Sequence, residues 1–336
     1  MISKDLRLTT RTLAIGAVGA AVAALAGLPA APLLGAAMAT ATTAWSGARL
    51  AVDTKLRNAG FLVIGLSLGS GIDSSAVTQL ESISISLSLL CASVLVTLWL
   101  NRWMLMRLFT MPADTALLSS APGTMSVALS IAVDGRGDPA TVLVMQSMRL
   151  LGLACVLPLL FYVFGTSYTV AYPQGNLGFG ALVGLASVGL AVSLALARLG
   201  MPAAFLVGGL VVSAAAHLLS FVEGYPPAAL LTAGLCVTGA AIGSRFSNMP
   251  LASILQLGWP TTAIVTVAAG VSAAFAGVVA VLIDVPMSQA WIAFAPGGVE
   301  AMAAIGFALG FDPTFVALHH FARIAILSVL LPLYLR

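Results

Sequence analysis

The run Ser120-Ala121-Pro122-Gly123-Thr124-Met125-Ser126 decides how this chain is read, because its Ala-Pro-Gly core returns as Ala295-Pro296-Gly297. The interval is 174 residues, since 296 − 122 = 174, and it also carries Asp138-Pro139, Arg149 and Pro158 onto Asp312-Pro313, Arg323 and Pro332. The chain therefore reads as two copies of one unit. Nearly every residue in both copies is apolar, which points to a duplicated membrane transporter whose substrate site forms between repeats.

Composition leads to the membrane independently. Hydrophobic residues make up 60% of the chain and charged residues 7%, with a mean hydropathy of +1.09, whereas soluble domains carry about 25% charged residues. The net charge of +3 does not mark a nucleic-acid partner, because the basic residues are scattered singly. Cys91, Cys155 and Cys236 are odd in number, far apart and set in apolar segments, so they read as packing residues rather than a disulfide or metal set.

At the amino terminus, Lys4, Arg7 and Arg11 precede the apolar run Leu13–Leu28 and mimic a secretory leader. Pro29, Ala30, Ala31, Leu33 and Gly35 match Pro202, Ala203, Ala204, Leu206 and Gly208, however, at an interval of 202 − 29 = 173. A discarded leader has no reason to be duplicated in the interior, so the segment is expected to be the first span of the mature protein.

Apolar segments fall near 12–28, 31–50, 59–71, 83–104, 115–133 and 139–164 in the first unit. In the second they fall near 181–200, 203–222, 229–244, 261–283, 289–309 and 313–335. Their length and lack of alternation predict helices. The third of each unit carries Gly65-x-x-x-Gly69 or Gly239-x-x-x-Gly243, a spacing that lets helix backbones approach closely. The fifth contains Pro-Gly in mid-run.

Whether that fifth segment crosses the bilayer decides the architecture. If it crosses, each unit has six spans and the copies are parallel. If it is re-entrant, each unit has five spans and the copies are inverted. In the second case Lys4, Arg7, Arg11, Arg49, Lys55, Arg57, Arg102, Arg107, Arg136, Arg198, Arg245 and Arg336 all fall on the cytoplasmic side, and the outer loops, including 165–180, hold no Lys or Arg. The positive-inside tendency favours inversion. The expected fold is an all-α membrane protein of two inverted repeats, each of about five transmembrane helices with a broken Pro-Gly element. Residues 1–164 form the first repeat, 165–180 an external linker and 181–336 the second repeat, with both termini cytoplasmic.

Proline removes a backbone donor and glycine takes conformations a helix forbids, so both Pro-Gly sites should open the helix. Unwound backbone survives at membrane depth only inside protein or against a wet cavity. Its freed groups at Pro122, Gly123, Thr124, Ser126, Pro296, Gly297 and Gly298 are candidate substrate ligands. The Asp-Pro pairs read as an N-cap followed by proline at the first helical position of the last span.

The run Ala295-Pro296-Gly297-Gly298-Val299-Glu300-Ala301-Met302, then Ala308-Leu309-Gly310-Phe311-Asp312-Pro313 and His319-His320-x-x-Arg323, resembles the bacterial membrane AbrB family. The first-half run quoted above, with Gln146-x-x-Arg149, resembles that family's first copy. The resemblance implies a duplicated polytopic inner-membrane protein of transporter type, distinct from the soluble transcription factor that shares the name. An older label, ammonia monooxygenase, also attaches to the family. The Pro-Gly elements are more loosely similar to the re-entrant motifs of sodium-coupled citrate and glutamate carriers.

Ionisable residues within spans are functional candidates by default. Glu300, four residues after Pro296, is expected either to bind the coupling ion or to pair with Arg323. His319 and His320 are further coupling candidates; they point about 100° apart on a helix, so at most one is expected to share a face with Arg323, four residues beyond His319, and the other to hydrogen-bond in the bundle. Arg149 and Arg323 are read either as a bidentate anion site or as ties to carbonyls and acids of their own units.

Three histidines and no ligand spacing argue against a metal enzyme, and no phosphate-binding loop suggests ATP coupling. No catalytic residue, metal or cofactor is expected. The favoured function is secondary active transport of a small anionic organic solute coupled to H⁺ or Na⁺, the alternative a membrane sensor affecting gene expression. The expected partners are the bilayer, the solute and its coupling ion, with no nucleic acid; a second copy in a homodimer is a further candidate.

Overall fold

Long apolar runs satisfy their backbone groups internally as helices, and the described apolar segments follow that rule. The computed structural model describes residues 2–72, 80–123, 125–163 and 176–334. The first half contains α1 (Ile2–Leu25), α2 (Ala31–Trp45), α3 (Thr54–Gly69), α4 (Leu80–Leu108), α5 (Ala113–Ser120), α6 (Met125–Val133) and α7 (Pro139–Val163). The second contains α8 (Phe179–Arg198), α9 (Ala204–Leu218), α10 (Ala228–Ser244), α11 (Leu251–Ile283), α12 (Met287–Phe294), α13 (Val299–Ala308) and α14 (Pro313–Tyr334).

Seven of the described helices, α1, α4, α7, α8, α10, α11 and α14, are long and apolar enough to cross a bilayer, which makes this a multi-pass membrane protein. The sequence reading expected about ten spans. The difference lies in α2, α3 and α9, which have 15, 16 and 15 residues, short of the roughly 20 that a full crossing needs.

Packing divides the chain differently from the repeat. One compact unit comprises Met1–Gln79, Pro158–Asn248 and Ala303–Thr314; the other comprises Leu80–Leu157, Met249–Met302 and Phe315–Arg336. Each takes helices from both halves of the sequence.

In the first unit α1 doubles back on α2, and α8 on α9, through turns in which Gly27, Ala30, Gly200 and Ala203 have positive φ. The glycine pairs then bring other helices together. A methyl at Gly65 would overlap the Leu206 carbonyl and one at Gly69 the Leu210 carbonyl, while Gly239 meets the Leu33 carbonyl and Gly243 that of Ala37. Residues four apart meet residues four apart in the same order, so α3 runs parallel to α9 and α10 parallel to α2.

The helix ends are tied by hydrogen bonds. At one end the Asp53 amide donates to Thr9 Oγ1 (3.1 Å), the Ala51 amide to Thr12 Oγ1 (3.0 Å) and the Leu50 amide to Ser247 Oγ (3.0 Å), while Trp45 meets Phe246 edge-on at 5.7 Å. The starts of α1 and α3 therefore lie with the ends of α2 and α10. At the other end Leu177 N donates to Tyr225 O (2.9 Å), and His217 spans Ser213 O and Gly224 O at 2.7 and 2.8 Å. Since α3 begins where α10 ends, these two helices run in opposite directions.

In the second unit α4 packs on α11 and α5, and α12 packs on α11. The chain after α6 returns to the start of α5: Asp138 N donates to Thr115 Oγ1 (3.0 Å), and Arg136 pairs with Asp114 at 3.7 Å. Helices α5 and α6 thus form a hairpin. Asp138 caps α7, accepting from Ala140 N (3.3 Å), Thr141 N (3.0 Å) and the Thr141 hydroxyl, as the Asp-Pro pair predicts. The Thr141 hydroxyl holds the Asp138 carboxyl below its ordinary pKa. Asp312 Oδ1 likewise accepts from Thr314 N at 2.8 Å, next to the first residue of α14.

Candidate functional site

Both Pro-Gly sites interrupt the helix, as backbone chemistry requires. Helix α5 stops at Ser120 and α6 starts at Met125; α12 stops at Phe294 and α13 starts at Val299. Pro122, Pro296, Gly297 and Gly298 are buried and Gly123 is half-buried. Thr124 and the Ser126 side chain lie outside the described residues. Gly123 has φ +80, and a methyl there would come within 2.9 Å of Arg323 Nη2 and 3.2 Å of the Gly297 carbonyl. Only glycine fits that position, on both conformational and steric grounds. The tips of the two broken elements meet there.

Each tip is gripped by an arginine. Arg149 stands ten residues into α7 (149 − 139 = 10), about 15 Å along the helix. Its Nη1 donates to Ser119 O (3.3 Å) and Ser120 O (3.5 Å), and its Nη2 to Ala121 O and Gln146 Oε1, both at 2.8 Å. Arg323 stands ten residues into α14 (323 − 313 = 10) and donates to Ala295 O and Gly297 O. All but Gly297 O, which lies in the break itself, are at the ends of α5 and α12, where a helix has unsatisfied acceptors and partial negative charge, so a guanidinium is the natural cap.

The sequence left open whether the arginines bind solute or tie carbonyls, and the geometry assigns their terminal nitrogens to carbonyls. Charge balance remains open at the site. Arg149 and Arg323 are 3% and 1% exposed, and among the described residues neither forms an ion pair with a carboxylate. The Nε atoms of both, with the Ser119 and Ser147 hydroxyls, have no hydrogen-bond partner among the described residues.

The other candidates fall into different environments. Glu300 opens α13 and is half-buried, without the ion pair to Arg323 that was one of its two expected roles. His319 is fully engaged, with Nδ1 at 2.7 Å from Phe315 O and Nε2 at 2.7 Å from Ser86 Oγ, and it packs against the Phe315 ring. His320 is fully buried, and among the described residues neither ring nitrogen meets a partner in hydrogen-bonding geometry. Of the two histidines, His319 is therefore the one held by hydrogen bonds in the bundle, although its four-residue spacing makes it the one expected to face Arg323. Sequence reasoning passed over Ser86, 233 residues from His319, and placed Gln146 only in the Gln146-x-x-Arg149 motif, without a role in the site. Among the described residues no group of His, Cys, Asp or Glu could hold a metal ion.

Comparison with known proteins agrees with the motifs. The "Uncharacterized protein YhjN" of Bacillus subtilis (strain 168) is 25% identical over 298 residues, which cover 82% of this chain and 77% of the relative. The family described as "Transition state regulatory protein AbrB" matches residues 32–336. That match takes in both Pro-Gly tips and both arginine clamps, and the chain belongs to the AbrB family.

Proposed function

We propose that this protein is a secondary active transporter of a small anionic organic solute, coupled to H⁺ or Na⁺ and seated in the bacterial cytoplasmic membrane. The observation that carries the reading is the pair of buried guanidiniums, repeat-related and unneutralised, beside two broken helices. Burying a charge costs several kcal/mol per ion unless it is compensated. Carbonyl dipoles compensate part of that cost, and a bound anion supplies the rest. The opening turns of α6 and α13 present amide donors without intrahelical acceptors to the same tips, the arrangement that receives an anionic group in transporters with discontinuous helices.

The inverted repeat is supported by the first unit, where the repeat-related helices α3 and α10 run in opposite directions. Arg7, Arg11, Arg49, Lys55, Arg57, Arg198 and Arg245 gather at the end where α1 and α3 begin and α8 and α10 finish, which supports a cytoplasmic assignment for that end. The ties between Asp138 and Thr115 and between Arg136 and Asp114 support re-entry of the first Pro-Gly element. Glu300, His319 and His320 are the titratable candidates for the coupling ion.

The test is a thermal-shift panel of small carboxylates, phosphate and sulfate on purified protein, followed by uptake of each stabilising anion into proteoliposomes under imposed pH or sodium gradients. A stabilising anion whose uptake follows a gradient is expected. Uptake of cationic or neutral solutes, with no anion stabilising the protein, would overturn the reading.

A further inference from the structure

An apolar layer beside the first clamp shows which side chains reach it. Met104 and Leu105 of α4, Ala116 of α5, Met145 of α7 and Ile264 of α11 form one buried cluster. Helix α5 packs on α4 and is joined to its end by residues 109–112, so stepping back along α4 and forward along α5 leads the same way. Helix α7 begins where Asp138 N meets Thr115 Oγ1 at the start of α5 and advances with it. One turn beyond the apolar layer, about 5.4 Å on, stand Asn101 of α4, Ser119 of α5 and Arg149 of α7.

Each of the three carries a polar atom that is left unmet. Asn101, Ser119 and Arg149 are 2%, 0% and 3% exposed, and among the described residues Asn101 Oδ1, Ser119 Oγ and Arg149 Nε have no hydrogen-bond partner. Arg149 and Ser119 are direct neighbours, since Nη1 donates to Ser119 O at 3.3 Å. Asn101 continues a buried polar face of α4 that holds Ser93 and Thr97 at four-residue steps, while Trp99 and Trp103 are exposed on the other side. A membrane helix that turns its polar face inward meets a polar interior. The second half keeps the guanidinium and lacks both companions: Ser119 becomes Ala293 (293 − 119 = 174) and Asn101 becomes Phe275 (275 − 101 = 174). The carbonyl clamp, present in both halves, therefore does not require them.

The three atoms differ in what they offer. Arg149 Nε donates, Asn101 Oδ1 accepts, and the Ser119 hydroxyl does either. A plain carboxylate brings acceptors alone and leaves Asn101 unmet. The ammonium of an amino acid would meet it, but beside a buried guanidinium that has no carboxylate partner among the described residues. We propose that Asn101, Ser119 and Arg149 form a subsite for a hydroxycarboxylate: the carboxylate accepts from Arg149 Nε and the Ser119 hydroxyl, and the hydroxyl of the solute donates to Asn101 Oδ1. The assignment rests on the anion reading above and names the kind of anion.

Titration calorimetry on the full-length protein in detergent tests this with pairs of equal charge, lactate against propionate and malate against succinate. A further probe, 2-methoxypropionate, keeps the oxygen and lacks the donor. The hydroxy member of a pair should bind about tenfold more tightly than its partner, as for one buried hydrogen bond, and the methoxy acid should bind like propionate. Asn101→Leu, close in size, should bring the members of a pair within about twofold of each other by removing that bond, with binding of the deoxy member unchanged. Thr238→Val, which removes a buried, unpartnered hydroxyl from α10, should keep the preference. If Asn101→Leu does not fold, Asn101→Ala carries the same test. Equal binding within each pair in the wild type, tighter binding of alanine than of lactate, or a preference that survives loss of the Asn101 amide overturns the proposal and leaves the anion reading standing. If no anion binds at all, the anion reading fails and the subsite falls with it.

Discussion

Replacing Arg149 by lysine keeps the charge and removes the fork, and the structure indicates what that costs. The guanidinium holds two acceptors at 2.8 Å, Ala121 O and Gln146 Oε1, and two weaker ones at 3.3 and 3.5 Å. A single ammonium can reach one of the strong pair while the other is left buried and unmet. A hydrogen bond to a charged group contributes about 1.5 to 3 kcal/mol, so Arg149→Lys should cost about 2 kcal/mol, roughly thirtyfold in the equilibrium that opens the tip. Arg136→Lys is the control, because its ion pair with Asp114 spans 3.7 Å between side chains 54% and 38% exposed, a class worth about 0.5 kcal/mol or less. Thermal unfolding in detergent and amide exchange at residues 119–123 would both report the difference. If Arg149→Lys is no more destabilising than Arg136→Lys, the guanidinium does not hold the tip and the clamp argument fails.

Three further outcomes follow from the same geometry. Gly239→Ala and Gly65→Ala push a methyl into a neighbouring helix carbonyl and should each cost about 1 to 3 kcal/mol, whereas Gly180→Ala, with open space around it, should be nearly neutral in the same unfolding assay. In a cysteine-free background, an impermeant thiol reagent applied to intact cells should label a cysteine at Glu223 and spare one at Arg245; the reverse pattern would contradict the cytoplasmic assignment. Asp138→Ala should cost about 1 kcal/mol as a lost helix cap. Because the Asp138 carboxyl is held below its ordinary pKa in the folded chain, that contribution is complete above about pH 4. It is lost as pH falls through the lowered value, so wild type and variant should converge in acid.

Local chemistry was legible in the sequence wherever one residue type dictates one backbone outcome. The Pro-Gly pairs opened their helices, Asp138 and Asp312 became caps, and the paired glycines became sites of close helix approach. The 174-residue interval identifies Arg149 and Arg323 as counterparts, because duplication preserves spacing whatever the chain later touches. What the sequence could not assign was the far partner of each polar group. Gln146 was visible as part of a motif, yet only packing brings its amide to the Leu118 carbonyl and to Arg149. Ser86 reaches His319 across 233 residues with no local pattern to announce it. The division into units is likewise a tertiary matter: apolar periodicity says which face of a helix leaves water, but not which of many equally apolar helices will cover it. Within the bilayer the hydrophobic effect makes no such choice. Close backbone contacts at Gly65, Gly69, Gly239 and Gly243 and the few buried hydrogen bonds make it instead, and they exist only once the chain has folded.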